Sequence, residues 1–147
     1  MTQAPARQSR DTVHATSVAI EGRAALITGP SGSGKSGLAL DLIALGATLI
    51  SDDMTVVETD ETDWPIARTT GRMVGVIEAR GVGLIRVPSL AAAPVALIVD
   101  MSRTETERLP EPRFTDLLGS RIVTVSRVDS PHFPASIMAL IKGGFAQ

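Results

Sequence analysis

One eight-residue loop constrains this chain more than any other feature of its sequence. The loop has the pattern G-x-x-x-x-G-K-S; it follows a short apolar run, residues 24–28, and precedes a segment with leucines at helical spacing. Its glycines let successive backbone N–H groups point at one spot, and the dipole of the following helix adds positive potential there. The full Walker A pattern is formed by Gly29, Pro30, Ser31, Gly32, Ser33, Gly34, Lys35 and Ser36. Strand, loop and helix together predict an α/β domain that binds the phosphates of ATP or GTP.

Two side chains of this loop have chemistry suited to a nucleotide triphosphate. Lys35 can reach the outer phosphates as a point charge, and the hydroxyl of Ser36 can serve as a ligand of Mg²⁺. The sequence therefore predicts ATP and Mg²⁺ as cofactors. The alternative is a glycine- and serine-rich turn that fits the pattern by chance, and the strand and helix on either side of the loop argue against it.

Composition narrows the classes of function. A length of 147 residues suggests one domain, and a net charge of −2 without a basic run argues against a nucleic-acid partner. The absence of cysteine excludes disulfides and thiolate metal sites. No apolar run is long enough to span a bilayer, and the first residues lack the apolar segment of a secretory signal, so we expect a cytoplasmic protein with no membrane partner.

The pattern along the chain predicts more strands than helices. Residues 1–11 are polar and are expected to form a disordered tail, and residues 12–147 to form one domain. Helices are expected at residues 35–45 and 135–142, and loops at residues 102–114 and 126–134. Strands are expected in residues 13–20, 24–28, 47–50, 54–58, 64–66, 74–78, 84–87, 95–99 and 121–125. This excess of strands departs from the regular alternation of a doubly wound fold.

An acidic pair follows the helix of the phosphate loop. Asp52 and Asp53 end the next expected strand, where an aspartate is a natural partner of Mg²⁺. Adjacent strand residues point to opposite sides, so one carboxylate could act on the metal and the other on a transferred proton. The alternative is a solvated turn after a strand, which Asp favours in general.

Four further residues carry weaker signals by themselves. His14 lies on the first strand, where a lone histidine is more often a surface or core residue than a functional one. Glu78 and Arg80 flank a glycine-rich turn, and an exposed ion pair is the simpler interpretation. Arg127 falls in a polar segment that reads equally well as a solvated loop.

Taken together, these residues resemble the bacterial HPr kinase/phosphorylase family, in the short form, typical of alpha-proteobacteria, that has only the C-terminal catalytic domain. The resemblance rests on Val13-His14-Ala15, the phosphate loop, residues 49–53 and residues 77–86. It covers nearly all of residues 13–101. It implies a single-domain, strand-rich P-loop kinase core similar to that of phosphoenolpyruvate carboxykinase, which accounts for the excess of strands.

The resemblance also implies roles for individual residues. His14 matches a catalytic histidine, and Lys35 matches the phosphate-binding lysine. Ser36 and Glu78 match Mg²⁺ ligands. Asp53 matches the base that takes the proton of the attacking serine, with Asp52 in support. Residues 126–134 stand where the family has a loop reading roughly PVRPGRN, and there Arg127 takes the place of a catalytic arginine.

The implied activity is an ATP-dependent protein-serine kinase acting on HPr, the phosphocarrier of the sugar phosphotransferase system, and so regulating carbon and nitrogen metabolism. The reverse phosphorolysis and a homo-hexamer are also implied. The alternative is a nucleotide-binding sensor without phosphoryl transfer, which the altered residues 126–134 favour. A small-molecule kinase is a third interpretation, for which the chain has little length to build a lid and a second pocket. Pyrophosphate in place of ATP as donor stays open.

Overall fold

The structure is a computed structural model that describes residues 9–146. Within these residues it contains eleven strands and two helices. The strands are β1 (Arg10–Val13), β2 (Ala15–Ile20), β3 (Arg23–Thr28), β4 (Thr48–Ser51), β5 (Thr55–Thr59), β6 (Pro65–Arg68), β7 (Val76–Ala79), β8 (Gly83–Arg86), β9 (Ala92–Thr104), β10 (Arg113–Leu117) and β11 (Ser120–Arg127). The helices are α1 (Lys35–Ala44) and α2 (Phe133–Gly143). The expected strand-rich α/β architecture is confirmed.

Strand β9 is the axis of a nine-stranded sheet. The order is β1-β5-β6-β9-β3-β2-β4, and β11 pairs with β9 and with β10. β3 pairs with one edge of β9 in parallel orientation. The other edge of β9 pairs first with β6, which is antiparallel, and then with β11, which is parallel. Because β3, β9 and β11 are parallel, their carboxyl ends meet at one edge of the sheet. β7 and β8 form a separate two-stranded sheet.

Apolar side chains cover both faces of the central strands. On one face α1 and α2 pack on the sheet through buried residues that include Ile27, Leu42 and Ile137. On the other face Leu26 and Val57 belong to a second buried cluster, in which the β5–β6 part of the sheet packs against β3 and β9. Burial of a side chain of this size contributes about 1.5–3 kcal/mol, so both faces hold the sheet rigid under the phosphate loop.

The predicted loop at residues 102–114 is wrong at both of its ends. β9 continues to Thr104, and β10 begins at Arg113 and pairs with β11. The predicted loop at 126–134 is likewise wrong at both of its ends. α2 begins at Phe133, and β11 runs to Arg127, which is the register partner of Thr104. These residues are polar, and their strands form because a neighbouring strand offers a hydrogen-bonding edge.

The predicted tail is wrong for Arg10 and Asp11. Both lie in β1, in register with Glu58 and Val57 of β5. Ser9 N donates to Thr59 Oγ1 over 3.0 Å, which ties the strand down at its start. The rest of the expected tail, residues 1–8, lies outside the described residues. No helix within residues 9–146 combines the length and apolar character needed to cross a bilayer.

Candidate nucleotide-binding and active site

The phosphate loop joins the carboxyl end of β3 to α1. Gly29, Gly32 and Gly34 have φ values of +140°, +83° and +96°, which residues with a Cβ rarely adopt. Gly29 also lacks space, because a Cβ there would lie 2.7 Å from Ser33 Oγ and 3.1 Å from Met101 Cβ on β9. The loop therefore passes so close to the neighbouring strand that only glycine fits at its first position.

The amino end of α1 is open to an anion. The helix begins at Lys35 after Gly34, and no side chain caps it. The first N–H groups of a helix have no partner within the helix, and its dipole places partial positive charge there. A phosphate group at this end would therefore accept hydrogen bonds from these N–H groups, which no side chain caps.

Lys35 lies folded over its own loop. Its Nζ donates to the carbonyl oxygens of Gly29 over 2.8 Å and of Pro30 over 3.0 Å, and the residue is buried. These two carbonyls hold the ammonium group above the loop. Phosphate oxygens arriving at the loop would meet this cation at once, as the predicted role of Lys35 requires.

Asp52 ties three elements together behind the loop. Its Oδ1 accepts hydrogen bonds from Ser36 Oγ at 2.8 Å and from Thr16 Oγ1 at 3.0 Å. Its Oδ2 accepts from the backbone N–H of Glu78 at 3.2 Å. A hydroxyl and a carboxylate so close together are oxygen ligands of the kind that Mg²⁺ binds directly or through water.

Asp53 points the other way and contacts His14. Its Oδ1 lies 2.9 Å from His14 Nε2, and its side chain is 74% exposed, so a substrate hydroxyl could reach it. Asp53 has a φ of +69°, an uncommon conformation for a residue other than glycine that is enriched at functional sites. The two aspartates thus face different partners, as their adjacency in the sequence predicts.

A cavity of about 410 Å³ joins these groups. It is lined by the phosphate loop and by side chains of β2, β7 and the turns beside them. The structure brings together seven of the site residues predicted from the sequence, which all line this cavity: Ser31, Gly32, Gly34, Lys35, Ser36, Asp53 and Glu78. Within residues 9–146 no three His, Asp or Glu side chains cluster as a metal site, so a Mg²⁺ ion here would need oxygens from phosphate and water as well.

Arg127 does not line this cavity. It lies at the end of β11, and its Nη2 donates to Thr104 Oγ1 over 2.9 Å. Among the described residues its buried Nε has no hydrogen-bond partner. The geometry therefore does not support the catalytic role assigned to Arg127 from the sequence.

Thr16 is a site residue that sequence reasoning missed. It is fully buried, lines the cavity, and its Oγ1 contacts both Asp52 and the backbone N–H of Asp53. One signal for it was present in the sequence. Thr16 stands two positions after His14 in the strand expected at residues 13–20, and residues two apart on a strand share a face. The structure interrupts that strand, and His14 lies between β1 and β2.

Comparisons with known proteins agree with this geometry. A family model described as the HPr Serine kinase C-terminal domain matches residues 6–111. The HPr kinase/phosphorylase of Halalkalibacterium halodurans is 40% identical over 81 residues, which cover 55% of this chain and 26% of that protein. The HPr kinase/phosphorylase of Geobacillus thermodenitrificans is 31% identical over 103 residues, covering 65% and 33%. The match thus spans about a quarter to a third of the length of these curated relatives.

A solved structure is similar over nearly the whole chain. The HPr(Ser) kinase/phosphatase from Coxiella burnetii superposes with a TM-score of 0.74 and 26% identity, covering 90% of this chain and 88% of that one. The resemblance inferred from four short motifs is confirmed. The family model matches well over half of the residues of this chain. The chain therefore belongs to the family of HPr serine kinase C-terminal domains.

Proposed function

We propose that the chain is an ATP-dependent protein-serine kinase that phosphorylates HPr. One observation carries the proposal: the Asp53–His14 pair lies beside the same cavity that Lys35 and Ser36 line. A phosphate-binding loop alone would suit a switch or a sensor. An exposed carboxylate next to that loop adds the base that a serine hydroxyl needs, because a neutral hydroxyl is a poor nucleophile.

The phosphate end of ATP would be held by the loop and the start of α1. Lys35 would leave its carbonyl partners and neutralise the outer phosphates, and the N–H groups of the helix end would donate to them. Ser36 and Glu78 are the side chains that we propose for binding Mg²⁺, with Asp52 orienting the Ser36 hydroxyl. When bound, Mg²⁺ would neutralise charge that develops on the β- and γ-phosphates.

Proton transfer would fall to Asp53. Its carboxylate would accept the proton of the serine hydroxyl as that oxygen forms a bond to the γ-phosphorus and the bond from phosphorus to the ADP oxygen breaks. His14 would hold the carboxylate in place through the 2.9 Å contact. In the phosphorolysis an oxygen of inorganic phosphate would attack the phosphorus of phosphoserine, the bond from that phosphorus to the serine oxygen would break, and pyrophosphate would leave. Asp53 would take the proton of the attacking phosphate and deliver it to the serine oxygen.

The domain around this site, its location and its assembly are also part of the proposed function. We propose that the domain built on the nine-stranded sheet, which includes Arg10 and Asp11 of β1, is the catalytic domain, with a P-loop kinase core of the phosphoenolpyruvate carboxykinase type. Similarity to the Coxiella burnetii structure supports a kinase core of this shape. A cytoplasmic location and a homo-hexamer are proposed from the resemblance to the family.

Phosphoserine formation on HPr tests the proposal directly. The purified chain is incubated with ATP, Mg²⁺ and HPr, and the modified residue is identified by mass spectrometry. HPr with its acceptor serine replaced by alanine serves as the control. We expect one phosphoserine on HPr, and its removal when inorganic phosphate replaces ATP. Tight ATP binding without any phosphoserine would contradict the proposal.

A nucleotide sensor without transfer is the second candidate. The position of Arg127 favours a sensor, because this arginine lies outside the nucleotide cavity and donates a hydrogen bond to Thr104. A single-turnover experiment with chain in excess over ATP separates the two functions. A sensor would return all of its ATP unchanged, whereas a kinase would convert it to ADP only when HPr is present.

A further inference from the structure

A second cavity, of about 350 Å³, adjoins the phosphate loop and plays no part in the site described above. We call it the edge groove. Its lining includes Val13 of β1, Gly29 of the phosphate loop, Asp100 and Ser102 of β9, and Leu117 of β10. It therefore lies at the carboxyl edge of the sheet, between strands that are far apart in sequence.

The edge groove lies on the face of the sheet away from α1. Ile27 and Val99 pack in the cluster under the helices, whereas Leu26 and Ile98 pack in the cluster on the opposite face. Since side chains alternate along a strand, Asp100 shares the second face with Ile98. Gly29 lines the groove, and its carbonyl oxygen accepts a hydrogen bond from Lys35 Nζ, so the backbone of Gly29 borders both the groove and the loop.

The end of β1 connects the edge groove to the proposed base. Val13 lines the groove, and the next residue, His14, contacts Asp53. Asp53 in turn lines the nucleotide cavity. A serine presented from the edge groove would thus meet Asp53 from one side, with the phosphate loop on the other.

Asp100 presents to the groove a carboxylate oxygen that can accept a further hydrogen bond. Its Oδ1 accepts from the N–H of Ser102 at 2.9 Å and from the hydroxyl of Ser102 at 2.6 Å. Its Oδ2 lies 3.8 Å from Arg113 Nη2 and accepts no hydrogen bond from the described residues. Asp100 is the register partner of Thr28, the residue directly before the loop. This oxygen could accept a hydrogen bond from an incoming N–H or O–H group.

The shape and charge of the edge groove favour one class of occupant. Within the described residues β1 pairs only with β5, and β10 only with β11, so the groove lies between two outer strands. Its one ionisable side chain, Asp100, is paired with Arg113 at 3.8 Å, so the groove carries no unpaired cation that would attract a phosphate group. Its mixture of apolar walls and hydrogen-bonding groups suits a polypeptide segment.

We propose that the edge groove binds the segment of the acceptor protein that carries the phosphorylated serine, with Asp100 Oδ2 accepting a hydrogen bond from that segment. This inference rests on the proposed function, since it takes HPr as the acceptor. The edge groove positions the segment, while the nucleotide cavity holds ATP. Substitutions in the groove therefore change the affinity for HPr and leave the affinity for ATP alone.

Binding of HPr measured by calorimetry, with a non-hydrolysable ATP analogue present, tests the inference. Ser102→Arg fills the groove from an exposed position on β9, and Asp100→Asn keeps the size of the side chain but removes its charge. Ala139→Arg adds the same side chain at an exposed position of α2 and serves as the matched control. We expect the dissociation constant for HPr to rise at least tenfold for Ser102→Arg and at least threefold for Asp100→Asn, and to be unchanged for the control.

The dissociation constant for the ATP analogue is measured on every variant. Unchanged HPr affinity in both groove variants would overturn the inference, and so would an equal loss of ATP affinity, which would mean that the substitutions act through the phosphate loop. HPr binding that is sensitive to the groove, without phosphoserine from the wild-type chain, would support the groove and contradict the kinase. Phosphoserine formation by the wild-type chain, with unchanged HPr affinity in the groove variants, would support the kinase and contradict the groove. Absence of HPr binding to the wild-type chain would contradict both the kinase and the groove.

Discussion

Asp52 and Asp53 are neighbours with different work to do. The carboxylate of Asp52 accepts hydrogen bonds from Ser36, Thr16 and the backbone N–H of Glu78, so it holds in place the two residues that we propose as Mg²⁺ ligands. Asp53 has one side-chain partner among the described residues, His14, and is largely exposed. A substrate hydroxyl can therefore reach the carboxylate of Asp53, whereas that of Asp52 is held by three donors of the protein.

The proposed division of labour predicts different effects for two conservative substitutions. Asp53→Asn should lower the rate of transfer to HPr by about 10²- to 10⁴-fold, because the amide cannot accept the proton, while the ATP dissociation constant stays the same. Asp52→Asn is the matched neighbour and should chiefly raise the Mg²⁺ concentration needed for ATP binding. Kinetics of phosphoserine formation and ATP titration at several Mg²⁺ concentrations measure both. A wild-type rate for Asp53→Asn would show that another group is the base.

Asp100 makes the stability of the fold depend on pH. Burial raises the pKa of its carboxyl, but hydrogen bonds from Ser102 and the charges of Arg113 and Arg103 outweigh this effect and hold the pKa below its ordinary value of 3.8. A lowered pKa in the folded state stabilises the fold above the pKa of the unfolded chain, and this stabilisation is lost as the pH falls through the folded value.

Asp100→Asn should therefore lower the free energy of unfolding near neutral pH and have less effect in acid. We expect the difference from the wild-type chain to be full near neutral pH and to shrink as the pH falls from the ordinary pKa of 3.8 through the lowered pKa of the folded state. Urea unfolding followed by circular dichroism at each pH measures it. A difference that is the same at every pH would mean that the carboxylate charge of Asp100 does not stabilise the fold.

At the scale of elements, the phosphate loop depends on how closely β3 and β9 pack. Gly29→Ala would place a Cβ 3.1 Å from Met101 Cβ at a φ of +140°. We expect the loop to shift and ATP affinity to fall at least tenfold, since the N–H groups no longer point at one spot. Gly143→Ala is the control, because its Cβ would meet nothing within 4 Å and its φ is not positive. Equal ATP affinity in both variants would contradict this account of the loop.

Elements with a strong local pattern could be predicted from the sequence, and elements formed by distant pairing could not. α1 was predictable because its leucines have helical spacing and Gly46 follows it. β10 was not, because Arg113–Leu117 shows no alternation of buried and exposed residues, and its ladder is supplied by β11. The same limit applies to the site: the phosphate loop is local in sequence, while the contact of Thr16 with Asp52 joins residues 36 positions apart.

At the scale of the whole molecule, the candidate active site lies where separate parts of the fold meet. β3 and α1 supply the phosphate loop, β2 supplies Thr16, the turn after β4 supplies the aspartates, and the small β7–β8 sheet supplies Glu78. A ligand that touches all of these parts in the folded state has no comparable site in the unfolded chain. Its binding should therefore stabilise the molecule as a whole.

Mg²⁺ and ATP together should raise the melting temperature of the chain. At a concentration about 100 times the dissociation constant a ligand adds about 2.7 kcal/mol, which corresponds to roughly 5–10 °C for a domain of this size. Lys35→Met should remove most of this shift, because it removes the cation held over the loop. Lys142→Met, in the last turn of α2, is the matched control and should keep the full shift even if its own melting temperature is slightly lower, since a lysine there favours the helix end. Differential scanning calorimetry with and without ATP measures both variants. An equal shift in Lys35→Met and Lys142→Met would mean that ATP binds elsewhere on the molecule.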